Sequence, residues 1–107
     1  MEEITKWEFY VAGVQHHEIY KCLKDMEVDD DLLLRHEPAN RFDSNAVRIE
    51  YIFDDILLMI GYVPGKISVQ VAEAINRPGK TTTCKIIELN KEEKPWKQIK
   101  VVITKEE

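Results

Sequence analysis

The residues best suited to chemistry lie in one stretch, Leu34 to Val47, which reads LRHEPANRFDSNAV. Polar and turn-forming side chains cluster there around one large aromatic, Phe42. Asn40, Asp43 and Asn45 can each hydrogen-bond nearby backbone and stabilise a turn. The same set supports a second reading. An aromatic ring beside donors and acceptors on a barrel rim is how single-stranded bases are stacked and sugar hydroxyls are held. Spacing leaves both readings open, and they can coexist.

Elsewhere the catalytic scan is negative. There is no G-x-G-x-x-G, Walker A loop, G-x-S-x-G elbow or H-E-x-x-H. His16 and His17 are adjacent, so in a strand they point to opposite faces and do not readily share a metal. A site pairing one of them with His36 or Cys22 is the residual metal option. Carboxylates are plentiful, but no spacing singles out an acid–base pair. The expectation is a non-enzymatic chain with no catalytic residue, no metal and no cofactor. Cys22 and Cys84 form no C-x-x-C pair and read as free thiols, Cys84 as a small core residue in a strand.

The elements that must hold this stretch follow from periodicity. Trp7 to Val14, aromatic and β-branched and closing at Gly13, reads as a buried first strand. Ile19, Cys22, Leu23 and Met26 recur at helical spacing, which suits a short helix or helical turn over Glu18 to Met26. Leu32 to His36 reads as the second strand. Pro38 enforces a loop after it. Asn45 to Phe53 alternates, with Ala46, Arg48, Glu50 and Ile52 on one face and Val47, Ile49 and Tyr51 on the other. Asp54-Asp55 then turns the chain into a returning strand, Leu57 to Val63, giving an antiparallel hairpin. Ile67, Val71, Ala74 and Ile75 mark one face of a helix from Lys66 that stops at Asn76-Arg77-Pro78-Gly79. Two last strands follow, Thr81 to Leu89 and Lys97 to Thr104, joined by the charged loop Asn90 to Pro95. The pattern predicts a mainly β fold, a partly closed antiparallel β-barrel of about six strands with one main helix. Within it, Gly61 is read as a packing glycine, Tyr62 and Val63 as core, and Arg35 with Glu37 as a pair at the strand end.

With 107 residues the chain is one domain's length, and 44% apolar residues suffice for a core. The longest apolar run, Ile56 to Ile60, falls far short of the roughly 18 residues of a membrane span, so no membrane partner is expected. The opening Met-Glu-Glu-Ile has no signal-peptide character, and a cytoplasmic location is expected. The net charge of −5 discourages a nucleic-acid partner on its face. Yet nine acids fall in three segments without a base, leaving 11 acids against 15 bases in the rest, so a basic face is possible. Lys66 and Lys80 are candidate phosphate contacts if they flank one groove.

Three blocks in order carry a specific resemblance. They are Phe9-x-Val11-Ala12-Gly13, then Leu32-x-Leu34-Arg35-x-Glu37-Pro38-x-Asn40-x-Phe42-Asp43-x-Asn45-Ala46-Val47, then Ile60-Gly61-Tyr62-Val63-Pro64 with the helix after it. From Phe9 to about Ile75 the sequence resembles the HIRAN domain, a family related to the OB-fold. It occurs as standalone bacterial proteins and at the front of eukaryotic fork-remodelling DNA translocases. The resemblance implies a single domain over 1–107 that binds single-stranded DNA, at its 3′ end, in a repair or replication-fork setting. It implies that Phe42 stacks on a base, Asp43 accepts from the terminal hydroxyl and Asn40 fixes the loop or a phosphate. The 3′-end binders carry an arginine and two tyrosines where this chain has Gln15, His16 and His17. Glutamine brings no cation and imidazole is a smaller platform, so the end pocket is only partly kept. Arg41, in place of the family's proline, restores a cation. A protein-interaction module is the alternative reading, with a protein partner in place of DNA, and a small metal-dependent hydrolase or nuclease the third.

Overall fold

Strand alternation builds one curled sheet. In the computed structural model, which describes residues 4–14, 18–78 and 81–106, six strands pair antiparallel throughout. They are β1 (Ile4–Tyr10), β2 (Asp31–His36), β3 (Val47–Phe53), β4 (Ile56–Tyr62), β5 (Thr82–Leu89) and β6 (Ile99–Glu106). Their order is β1-β6-β5-β2-β3-β4. Strand β2 belongs to both halves, pairing with β5 only at Asp31 and Leu32 and with β3 from Leu33 to His36. The sheet is not closed. Among the described residues a single bridge, Ala12 to Tyr62, joins the continuation of β1 to the end of β4, with two backbone hydrogen bonds of 2.9 Å.

The predicted elements are present, with shifted ends. The mainly β architecture with one helix, α1 (Gly65–Asn76), matches the expectation. Ser68, Val71, Ala72 and Ala74 are the buried positions of that helix. Ile19, Cys22 and Met26 are buried as expected, but Ile19 lies on a 3-10 turn, Glu18–Lys21, and Cys22 and Met26 flank another, Leu23–Asp25. So short a segment gains more from a tight turn that buries three side chains than from one α-helical turn. Asp54 and Asp55 both take positive φ, 51° and 63°, the conformation a two-residue hairpin turn of this hand requires. Inward residues of β6 (Ile99, Val101, Ile103), β5 (Cys84, Ile86), β3 (Val47, Ile49) and β4 (Leu58, Ile60) form the core. Cys84 is buried, which pushes its thiol up to about 12, with Asp31 adding to the effect. Among the described residues no helix is long and apolar enough to cross a membrane.

Two local features shape the functional end. A β-bulge at Ile60 shifts the β3–β4 register between Ile49 and Glu50, so that Arg48 faces Tyr62 and Glu50 faces Met59. At Gly61 a Cβ would lie 2.5 Å from the Ala12 carbonyl oxygen, so the close approach read from the sequence is real and only glycine allows the bridge.

Candidate functional site

Loop 37–46, between β2 and β3, forms the wall of an open groove of about 920 Å³. Ala12 and Gly13, Tyr62 and Val63, and Gly65 at the start of α1 complete it. The groove therefore sits where the Ala12–Tyr62 bridge draws the ends of the sheet together.

The loop is held by its own side chains. The Asn40 amide donates to Glu37 Oε1 at 3.0 Å, which turns its oxygen inward to accept from the backbone N–H groups of Phe42 (2.9 Å) and Asp43 (3.1 Å). Asp43 Oδ1 accepts from the Asn45 N–H at 2.8 Å, and Oδ2 accepts from the Ser68 hydroxyl at 2.9 Å, tying the loop to α1. The turn-stabilising reading of Asn40 and Asp43 thus has visible partners. Phe42 has none of this work to do. Its side chain is 97% exposed on the rim of the groove. Holding a phenyl ring in water forgoes roughly 1.5–3 kcal/mol of burial. Arg41 beside it is exposed and lines the same groove.

Glu37 is the hub that sequence reading missed. Oε1 accepts from the Tyr62 hydroxyl at 2.8 Å as well as from Asn40, and Arg48 Nη1 lies 3.4 Å from Oε2. Burial raises the pKa of this carboxyl, but hydrogen bonds from Tyr62 and Asn40 and the Arg48 charge outweigh that and leave it below its ordinary value. Burial and the bond to Glu37 push the Tyr62 phenol up. Arg48 continues the chain of charges to Glu50, at 3.1 Å, and Arg35 closes on the other Glu50 oxygen at 3.1 Å. Those arginines explain how Glu50 can be buried at 3% exposure on the outer face of the sheet. Two expectations are corrected here. Arg35 pairs with Glu50 and not with Glu37, because the two arginines flank Glu50 across β2 and β3. Tyr62 is half-buried in the groove wall, not core, because the bulge turns it outward with Arg48; Val63 is core.

Of the other candidates, Lys66 is exposed in the first turn of α1, next to Gly65, and does not line the groove. Gln15, His16, His17 and Lys80 lie outside the described residues. His36 is half-buried away from the groove: one ring nitrogen meets the Ser44 carbonyl at 2.8 Å and the other the Asn76 amide at 3.0 Å. Among the described residues no group of three or more His, Cys, Asp or Glu side chains is placed to hold a metal.

Comparison with known proteins gives a consistent picture. The family model for the HIRAN domain matches residues 4–104. A crystal structure of a protein from Lactobacillus plantarum superposes with a TM-score of 0.74 at 18% identity, covering 100% of this chain and 99% of that one. The HIRAN domain of human HLTF superposes with a TM-score of 0.69 at 10% identity, covering 98% of this chain and 78% of that one. At these identities the likeness is one of fold. No curated protein sequence matches the chain.

Proposed function

The chain belongs to the HIRAN domain family, and from that premise we propose that it is a non-catalytic module that binds single-stranded DNA in the loop 37–46 groove, at a 3′ end, in a repair or replication-fork setting. A nucleic-acid-binding role is what the family supports; strand and end preference are the finer reading. The observation that carries it is Phe42, a fully exposed ring on a loop whose backbone is otherwise pinned. Such a ring is a stacking platform for a base. Arg41 supplies a cation beside it, and Gly65, the first residue of α1, lines the same groove. Gln15, His16 and His17 are proposed to flank the stacked bases, and Lys66 to meet a phosphate from the helix side. Asp43 has lone pairs left after its two bonds, enough to accept from a terminal hydroxyl.

The test is fluorescence anisotropy with short oligonucleotides labelled at either end. Phe42→Ala should weaken single-strand binding by about 1–3 kcal/mol, the usual worth of one stacked base, with no fall in melting temperature. Unchanged affinity in this variant would end the stacking reading. A second reading, docking of a protein, draws on a different surface: Leu33, Ile52 and Leu57 are exposed on the outer face of β2, β3 and β4. Ionic strength separates the two, because phosphate contacts weaken steeply with salt and apolar docking does not.

A further inference from the structure

A second aromatic and cationic surface begins two residues from the groove. Strand alternation buries Phe9 and Val11 and turns Tyr10 and Ala12 to the same outer face. Ala12 lines the groove, and Tyr10, 40% exposed, lies roughly 7 Å further along the strand. Lys100, its partner on β6, holds its ammonium 5.7 Å from the ring centroid and is tethered to Glu88 at 3.2 Å. Tyr10, Val28, Lys97 and Gln98, with the acids Glu88 and Glu93, are among the residues that line a separate hollow of about 460 Å³. Trp96, next to Lys97 on the 3-10 turn Pro95–Lys97, is 53% exposed, with the Lys94 ammonium 5.6 Å from its ring. Among the described residues neither Lys94 nor Lys97 is ion-paired. Exposed rings, each with a cation over one face and the other face left for a base, are what a chain of bases and phosphates meets; a purely anionic ligand would use the lysines and leave the rings idle.

We infer that a single strand longer than the groove continues across the outer face of β1 and stacks a second time at Tyr10 and Trp96, its phosphates meeting Lys94 and Lys97. The inference rests on the groove reading and extends it from end recognition to a track.

Two thymidine oligonucleotides test it, of about four and about twelve nucleotides, within the range of site sizes of OB-like folds. Tyr10→Ala and Trp96→Ala should each weaken the longer strand about tenfold and leave the shorter one unchanged. Tyr10→Phe should retain full affinity, since it keeps the ring. Lys94→Gln with Lys97→Gln should lower the salt slope for the longer strand by about 0.7 per lost contact. Equal loss for both lengths, or no loss for either, overturns the second station while the groove stands. If Phe42→Ala leaves the four-nucleotide strand unaffected, the groove reading itself has failed and the track falls with it.

Discussion

Phe42 and Asp43 are neighbours with opposite relations to the loop. The ring contributes nothing to folding that the structure displays, whereas the carboxylate holds Asn45 and Ser68. Substituting Asp43 therefore mixes architecture with recognition, and Ser68→Ala supplies the control. Both variants lose the loop-to-helix hydrogen bond, worth about 0.5–1.5 kcal/mol, and melting temperatures should fall for both. Only Asp43→Ala should also lose preference for a 3′-hydroxyl end over a 3′-phosphate end, because a carboxylate near a phosphate is repulsive unless a hydroxyl donates to it. Equal affinity of wild-type protein for both ends would show the aspartate to be purely architectural. The ring was legible in the sequence, as the one large aromatic in a polar loop. The hub was not: Glu37 and Arg48 are 11 residues apart, and the partner Tyr62 comes from another element, as Ser68 does for Asp43. The same hub sets an acid limit. A carboxyl whose pKa is lower folded than unfolded adds stability that is complete above its unfolded value, near 4.5, and lost as pH falls through the folded value. Thermal melts below about pH 4.5 should show this loss in wild-type protein, and Glu37→Gln should flatten the slope in that window.

At the scale of elements, the bulge at Ile60 and the glycine after it do the shaping. The bulge lets Ile60 point into the core while Tyr62 faces Arg48 on the other side. Gly61 lets Ala12 approach. Gly61→Ala sets a methyl group against a backbone oxygen that cannot move aside as a flexible side chain would. It should cost about 1–3 kcal/mol in denaturant unfolding and reduce strand binding through the displaced wall of the groove. An undiminished unfolding midpoint would mean that the bridge is dispensable. Hairpin, helix and final strands were readable because each carries its own period and its own stop, such as Asp54-Asp55 and Asn76-Arg77-Pro78. The bulge was not, since one extra residue in Leu57 to Val63 leaves the run of apolar side chains looking continuous. The core placement of Tyr62 failed for that reason.

The two halves of the molecule, β1-β6-β5 and β2-β3-β4, meet along β2 through two residue pairs and the backbone hydrogen bonds of Asp29 and Asp30 with Ile86, and at the far side, among the described residues, through the Ala12–Tyr62 bridge. Mechanically that is a hinge with a clasp opposite it, and the groove lies against the clasp. Opening the clasp breaks two backbone hydrogen bonds. Opening β5 from β6 breaks a ladder that runs from Thr82 to Leu89. Free energies of local opening scale with what must be broken. The amides of Ala12 and Tyr62 should accordingly exchange with solvent well before those of Ile86 or Val101, and a strand held in the groove should slow them selectively. Exchange of all four amides at one common rate would mean that the shell opens only as a whole. A clasp that yields first would turn this domain from a rigid cup into a cuff, which under the proposed function closes around a strand after the strand has arrived.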